Sequence, residues 1–208
     1  ISNVISTLMG IKDNLLGVIE LPANMDIETV TEIFTRINSK GVPLKQQDFA
    51  MSKIAANDKY DGPNLRKSID YFCHLLERPQ DYENIRDNDL EFAKTGYLDK
   101  IKWIKDQQSV YVPTYNDMLK VIFGYKFKRG RMRDFVALLS GRNFEERTNE
   151  EQIVEQSVEK LKEGVFDLLN EHNFKTYLNR LANIGMVREN FIQAKNVLNF
   201  GYILFLIL

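Results

Sequence analysis

The sequence predicts a mainly α-helical protein with a multi-helix, bundle-like domain. Apolar residues recur every three or four positions along most of the chain, which is the period of an amphipathic helix. The breaks between these segments are short and contain Gly or Pro rather than long polar linkers. The chain has 208 residues, of which 44% are hydrophobic and 27% charged, a composition that can bury a substantial core.

The apolar period delimits the predicted helices. They cover residues 2–15, 27–39, 46–57, 63–77, 87–105, 114–128, 131–140, 149–171, 173–184 and 190–207. One short strand is predicted near residues 16–21, an apolar run that Pro22 ends because proline cannot donate a ladder hydrogen bond. Charged residues crowd 141–150, so we place a boundary there between a helical region, 1–140, and a C-terminal helical subdomain, 141–208.

The predicted helix 27–39 leads into a turn that holds the candidate site. Its apolar face should be buried and consists of Ile27, Val30, Phe34 and Ile37. Gly41 can adopt the left-handed conformation that ends a helix, and Pro43 cannot continue one. The chain must therefore turn before the next helix, which we expect to begin near Lys45.

Several side chains that can bind an anion or the polar edge of a ligand lie close together in the sequence. They belong to the motif turn, residues 34–44, and to the start of the next helix. These candidates for a nucleotide or DNA site are Arg36, Asn38, Lys40, Gly41 and Asp48. A purely local interpretation is also open. Arg36 would then pair with Glu32 one turn earlier. Asn38 would cap the helix, and Asp48 would face the positive end of the next helix.

The segment reads Ile33-Phe34-Thr35-Arg36-Ile37-Asn38-Ser39-Lys40-Gly41-Val42-Pro43-Leu44, followed by Asp48-Phe49. It resembles a motif of the large family known as domain of unknown function 262, in which the aromatic, Arg, Ile-Asn, Gly and Leu positions have the same spacing. That family includes the N-terminal domain of GmrSD-type, modification-dependent restriction systems. The resemblance covers roughly residues 27–55. The remainder resembles the family only as a helical region of suitable length.

In that family an Asp-Gly-Gln-Gln-Arg motif lies upstream, on a ParB-like or sulfiredoxin-like α+β unit, and is tied to nucleotide hydrolysis or DNA cleavage. The motif is absent here, and Gln46-Gln47-Asp48 is not a copy because it has neither the glycine nor the arginine. The resemblance implies a piece of such a protein that begins after its catalytic motif. An apolar stripe from Ile1 to Leu8 and an apolar run at 200–208 lead us to expect further sequence on both sides.

The resemblance implies the helical portion of a DNA-restriction or phage-defence-type protein, which helps to complete a nucleotide- or DNA-binding site. Its partner would be the upstream ParB-like catalytic unit of the same polypeptide. We expect no catalytic residue and no cofactor in this piece. The parent protein would be a nucleotide-dependent or modification-dependent DNA endonuclease that uses a nucleoside triphosphate and a divalent metal. The alternative is a non-catalytic helical scaffold or partner-binding module.

A second candidate is the basic segment, residues 125–133, which places five basic residues within eight positions beside two aromatic residues. The basic residues are Lys126, Lys128, Arg129, Arg131 and Arg133. They can hold DNA phosphates, and Tyr125 or Phe127 can offer a ring for stacking. The alternative is a helix that ends near Gly130, because the carbonyl groups at a helix C-terminus favour nearby cations.

The composition limits the function classes. Lys and Arg total 28 against 29 Asp and Glu, a net charge of −1, so any DNA contact must be local. A single cysteine, Cys73, excludes an internal disulfide and fits the reducing cytoplasm. No apolar run approaches the roughly 20 residues of a membrane span, so no membrane contact is expected. Cys73 and His74 diverge on a helix, and no metal site is predicted.

Overall fold

The computed structural model describes residues 45–106, 110–186 and 194–208 without interruption, and isolated positions before them. The chain divides into two compact units, Ile1–Leu44 and Lys45–Leu208. Nearly all of the described residues belong to the second unit.

The second unit is mainly α-helical, as predicted. Its described residues form ten α-helices: α1, Gln46–Ala55; α2, Gly62–Glu77; α3, Tyr82–Asn88; α4, Leu90–Ala93; α5, Tyr97–Lys100; α6, Tyr115–Phe127; α7, Met132–Leu139; α8, Glu151–Leu169; α9, Glu171–Asn183; and α10, Lys195–Ile207. Short 3-10 segments, Asp58–Tyr60, Pro79–Asp81 and Lys102–Asp106, lie between them. Within the described ranges, β-type pairing is limited to one isolated bridge, between Arg142 and Asn149.

The single helix predicted at 87–105 is wrong, because this region contains the end of α3, the short helices α4 and α5, and a 3-10 segment. Asp89 interrupts it by capping α4, where its Oδ1 accepts a hydrogen bond from the Phe92 N–H at 3.2 Å. The Nζ of Lys67 on α2 lies 2.6 Å from Oδ2 of the same carboxylate. Gly96 then turns the chain with a φ of 77°. Apolar spacing does not reveal either break.

In the first unit, Thr29, Val30, Ile33 and Ile37 are helical, in agreement with the helix predicted at 27–39. Ile37 is 53% exposed, so its predicted burial is wrong. Apolar periodicity identifies one face of a helix, but it does not show that another element covers the whole length of that face.

The short strand predicted near residues 16–21 is not found at the positions that the structure describes. Val18, Glu20 and Leu21 have no regular secondary structure, and Val18 is 79% exposed. An extended segment becomes a strand only when a neighbouring strand takes up its backbone hydrogen bonds. The apolar run in the sequence did not indicate a second strand with which it could pair.

The central helix of the second unit is α6, which packs against α8 on one side and α10 on another. Its buried residues are Asp117, Met118, Leu119, Val121, Ile122 and Phe123. Thr114 fixes the start of the helix, because its Oγ1 accepts from the Asp117 N–H at 3.3 Å and its own N–H donates to Asp117 Oδ2 at 3.0 Å. Because α6 is apolar on most of its sides, other helices can cover it on most of its sides.

Two glycines allow the helices to approach α6 closely. A Cβ on Gly124 of α6 would lie 2.6 Å from Cδ1 of Ile203 on α10. A Cβ on Gly164 of α8 would lie 2.6 Å from Cγ2 of Ile122 on α6. Both distances are shorter than an ordinary contact between two carbon atoms. The close spacing of α8 and α10 around α6 therefore requires glycine, which has no side chain, at these two positions.

Residues 141–150, the predicted boundary, lie inside the second unit rather than between two units. The segment forms a closed turn in which the Glu150 N–H donates to the Gly141 carbonyl at 2.9 Å. Gly141 has a φ of 89°, which favours glycine. After the turn, α8 packs back onto α6 and α7.

We expect Gly62→Ala to destabilise the second unit strongly. The added Cβ would lie 1.9 Å from the backbone oxygen of Ile54, at the point where α2 begins against the end of α1. Overpacking against rigid backbone should cost at least about 1–3 kcal/mol of unfolding free energy, measured by urea denaturation. Gly130→Ala is the control, since its Cβ would meet no atom within 4 Å. Equal unfolding midpoints for the two variants would contradict this packing.

Candidate functional site

The residues of the predicted motif turn are only partly visible. Arg36, Asn38, Lys40 and Gly41 lie outside the described residues. Asp48 is described and lies in the first turn of α1. The nucleotide or DNA site proposed around this turn therefore stays a prediction, and the geometry of Asp48 is its one described part.

Both carboxylate oxygens of Asp48 accept hydrogen bonds. The Lys45 N–H donates to Oδ2 at 3.1 Å, which caps the start of α1. The Tyr115 hydroxyl donates to Oδ1 at 2.5 Å from the first turn of α6. This bond, with partial burial, raises the pKa of Tyr115 to about 12. Asp48 thus joins α1 to α6.

The basic segment spans the end of α6 and the turn into α7. Lys128 ends α6 in a left-handed conformation with a φ of 55°, and Arg131 is the N-cap residue of α7. Phe127 anchors the segment, since its ring lies 5.3 Å from the rings of both Phe123 and Phe135. Phe127 is therefore a packing residue, and Tyr125 is the ring that remains at the edge of the segment.

Lys126 is separated from the other basic residues because it faces α8. Its Nζ lies 2.8 Å from a carboxylate oxygen of Asp167 and 3.3 Å from one of Glu163, and its side chain is 18% exposed. Burial by itself would lower the pKa of Lys126, but the two acidic partners outweigh it and the pKa is raised. Lys126 holds α6 against α8 and has little surface for a ligand.

The basic turn, residues 128–133, presents the remaining four cations. Arg129 stacks over the ring of Phe144, with 4.7 Å from its Cζ to the ring centroid, and Nη1 lies 3.9 Å from the Asp134 carboxylate. Lys128, Arg131 and Arg133 are exposed. Within the described ranges, no carboxylate lies within 4.0 Å of these three cations. Exposed ammonium and guanidinium groups of this kind bind phosphate oxygens.

A buried polar network between α6 and α10 was missed by the sequence analysis. The Tyr111 hydroxyl donates to Asn199 Oδ1 at 2.8 Å, and Asn199 Nδ2 donates to Asp117 Oδ1 at 2.7 Å. Thr114 Oγ1 donates to the other oxygen of Asp117 at 2.7 Å. The available signal was Asn199 itself, an amide in an otherwise apolar helix.

The network stabilises charge inside the protein. Burial alone would raise the pKa of Asp117, but hydrogen bonds from Asn199 and Thr114 outweigh it and the pKa is lowered. Burial raises the pKa of Tyr111 well above its ordinary value. Asp117 and Asn199 are 5% and 3% exposed. No ligand can reach these groups without separating α10 from α6, so the network is structural.

An open cleft of about 760 Å³ lies beside Trp103. It is lined by Asp99, Lys100, Lys102, Trp103, Lys105, Phe166, Asp167, Leu169, Asn170 and Glu171. The Trp103 Nε1–H donates to the Leu169 carbonyl at 3.2 Å, and Lys100 lies 5.0 Å from the centroid of the Phe166 ring. Protein groups already engage the aromatic rings, and acidic and basic side chains are mixed around the rim. The cleft therefore selects no particular ligand chemistry.

Within the described residues we find no site for metal or thiol chemistry. The part of the chain that the structure describes holds no group of three His, Cys, Asp or Glu side chains able to bind a metal ion. His74 instead pairs with Asp81, with 2.7 Å between Nε2 and Oδ2. Burial raises the pKa of the Cys73 thiol, whose sulfur lies 3.2 Å from that of Met118.

Comparison with known proteins adds no relative. No protein-family model, curated protein or solved structure matches the chain. Among the helices described here, none has the length and apolar character that crossing a membrane requires.

We expect Asn199→Ala to destabilise the protein by about 2–5 kcal/mol, because it leaves the Asp117 carboxylate and the Tyr111 hydroxyl buried without this partner. Asn196→Ala is the matched control, since Asn196 is exposed and its Oδ1 accepts a hydrogen bond from Lys120 Nζ at 3.1 Å. Urea denaturation of both variants measures the difference. Similar unfolding free energies would show that the network contributes nothing beyond a surface contact.

Proposed function

We propose that the chain is the helical portion of a DNA-restriction or phage-defence-type protein and that its basic turn binds the DNA backbone. The observation that carries the DNA contact is the group of exposed cations Lys128, Arg131 and Arg133, with no carboxylate within 4.0 Å in the described part of the chain. The resemblance of the motif turn supplies the restriction-type setting.

The basic turn is distinguished by the closeness in sequence of its exposed cations that lack an acidic partner. Elsewhere in the described ranges some cations have such a partner, for example Lys59 with Glu151 at 2.6 Å, and others, such as Arg78, have no carboxylate within 4.0 Å. The net charge of −1 would repel DNA weakly on average. A local group of unpaired cations can overcome this repulsion because phosphate contacts release condensed counterions.

The proposed contact is with phosphates rather than with bases. Lys128 ends α6, Arg131 is the N-cap of α7 and Arg133 lies in its first turn, so the cations flank a turn between two helices and do not form a row along one helix face that could read a DNA groove. Binding by this turn should therefore depend on salt and not on sequence. Any recognition of a DNA modification would belong to another part of the parent protein.

The motif turn would have a different role from that of the basic turn. Arg36, Asn38 and Lys40 would help to complete a nucleotide or DNA site together with an upstream ParB-like catalytic unit. The described residues hold no cluster for the divalent metal that the resemblance implies for the parent protein, so we assign no metal-dependent step to them.

The second candidate function is a non-catalytic helical scaffold or partner-binding module. The interactions of Asp48 favour it, because both oxygens of this candidate site residue serve contacts within the protein. If the chain is only a scaffold, the natural protein and a variant without the cations of the basic turn should bind DNA equally weakly.

We expect replacement of Lys128, Arg131 and Arg133 by Ala to weaken binding of double-stranded DNA about equally for all sequences. Loss of up to three phosphate contacts should lower the slope of log affinity against log salt by up to about 3. Fluorescence anisotropy with two unrelated duplexes at several salt concentrations measures both effects.

The control for this experiment replaces Arg78, Lys94 and Lys102 by Ala. These residues are also exposed, and the change removes the same charge from other parts of the surface. An equal loss of affinity in the control would show that net charge, and not the basic turn, determines binding. An unchanged salt slope in the turn variant would reject the DNA contact.

We expect the Arg36→Ala, Asn38→Ala double variant of the parent protein to keep its melting temperature and lose restriction of DNA. Charged hydrogen bonds to a phosphate are much stronger than an exposed ion pair, which contributes less than about 0.5 kcal/mol. Glu32→Ala is the control, because it would remove the partner that the purely local interpretation gives to Arg36 and would leave any ligand contact of Arg36 in place. A double variant that restricts DNA like the parent would reject a functional motif turn.

A further inference from the structure

An exposed aromatic ring lies beside the basic turn. Phe144 is 39% exposed and, among the described residues, is not part of the packed hydrophobic core. The guanidinium of Arg129 lies over its ring, with 4.7 Å from Cζ to the ring centroid. The Arg129 side chain is itself 45% exposed. We call these two residues the stacking pair, because a flat ligand can still reach both of them from solvent.

Hydrogen bonds of the backbone hold Phe144 at the surface. Asn143 Oδ1 accepts from the Glu145 N–H at 3.0 Å and from the Glu146 N–H at 3.2 Å, which closes the turn around Phe144. The Asn143 N–H donates to the Thr148 carbonyl at 2.9 Å. The ring is therefore presented by a preformed turn, so that binding would lose little conformational freedom.

The exposed cations of the basic turn begin next to the stacking pair. Lys128 directly precedes Arg129, and Arg131 follows it by two positions, so their Cα atoms lie within about 8 Å of the Cα of Arg129. Phosphates of one DNA strand repeat about every 3.4 Å along its axis. One strand can therefore place phosphates at these cations while a neighbouring base reaches the stacking pair.

An aromatic ring beside cations favours an unpaired strand over a duplex. In a duplex each base is stacked between its neighbours, and an enzyme that needs its face must first extrude it. In a single strand a base is free to stack on an aromatic ring or on a guanidinium plane. Such stacking tolerates any sequence, because every base has a π-face. It therefore agrees with the sequence-independent binding expected of the basic turn.

Two acidic residues limit which part of a strand can approach the ring. Glu145 and Glu146 directly follow Phe144 and are exposed. Their carboxylates repel phosphates but not an uncharged base. A bound strand would thus keep its phosphates at the basic turn and direct a base towards Phe144.

We propose that the stacking pair and the basic turn together bind single-stranded DNA, with one base stacked on the Phe144–Arg129 pair and the flanking phosphates on Lys128 and Arg131. This inference rests on the proposed DNA contact and specifies the form of DNA that is bound. Phe144 lies outside the basic turn, so the stacking and the phosphate contacts can be removed separately.

Two strands of about eight nucleotides separate base binding from phosphate binding. One is oligothymidylate, and the other is an abasic strand of the same length, which has the phosphates but no bases. We expect the complete chain to bind oligothymidylate about fivefold or more tightly than the abasic strand in fluorescence anisotropy, the gain from stacking one base. Phe144→Ala should remove this difference by weakening oligothymidylate binding alone. Replacement of Lys128 and Arg131 by Ala should weaken the binding of both strands.

The matched control is Phe200→Ala, which removes another exposed aromatic ring, on α10, outside the basic turn. Phe144→Leu keeps an apolar side chain at the turn but has no ring, so it should bind oligothymidylate as weakly as Phe144→Ala does. Phe144→Trp should restore the binding. Circular dichroism and urea denaturation check that each variant is folded.

Phe144→Trp also gives a spectroscopic signature of stacking. The natural chain contains one tryptophan, Trp103, whose Nε1–H donates to the Leu169 carbonyl, and its fluorescence is the background to subtract. Oligothymidylate should quench the fluorescence of the new tryptophan, whereas the abasic strand should leave it unchanged because it has no base to stack.

Several outcomes would overturn the proposal. Equal affinity of the natural chain for the two strands would do so, as would an equal loss in Phe144→Ala and Phe200→Ala. If Phe144→Ala binds oligothymidylate like the natural chain while loss of the cations weakens it, the single-strand inference fails and the proposed DNA contact stands. If loss of the cations has no effect on either strand, the proposed DNA contact fails as well. Binding of oligouridylate without binding of oligothymidylate would assign the stacking pair to RNA and reject DNA.

Discussion

The second unit depends on the burial of α6. A helix enclosed on several sides can keep a charged residue only if protein groups replace its water, and Asp117 meets this condition through Thr114 and Asn199. The same bonds fix α10 in rotation, because Asn199 must face Asp117. The residues on the other side of α10 are then turned to the surface. The exposure of the apolar residues Val197, Phe200 and Leu204 is thus a consequence of the polar contact on the opposite side of the helix.

The position of α6 also determines the basic turn. Lys126 holds the last turn of the helix against α8 through Asp167 and Glu163, and Phe127 enters the aromatic core. The chain must leave the helix immediately after these two residues, which it does through the left-handed conformation of Lys128. Cations beyond this point face solvent because two neighbouring residues are committed to the interior. Lys126 therefore contributes to the fold and Arg129 stacks on Phe144, while Lys128, Arg131 and Arg133 are exposed.

The sequence predicted where helices form better than it predicted which residues make contact between them. The period at 114–128 matches α6, at Tyr115–Phe127, because a long apolar repeat has few alternatives. The breaks at Asp89 and Gly96 depended on a long-range contact with Lys67 and on a local φ, which apolar spacing does not contain. In the candidate site, five basic residues looked equivalent in the sequence, yet Lys126 is paired across 41 positions with Asp167. Distances between residues so far apart in the chain are properties of the fold.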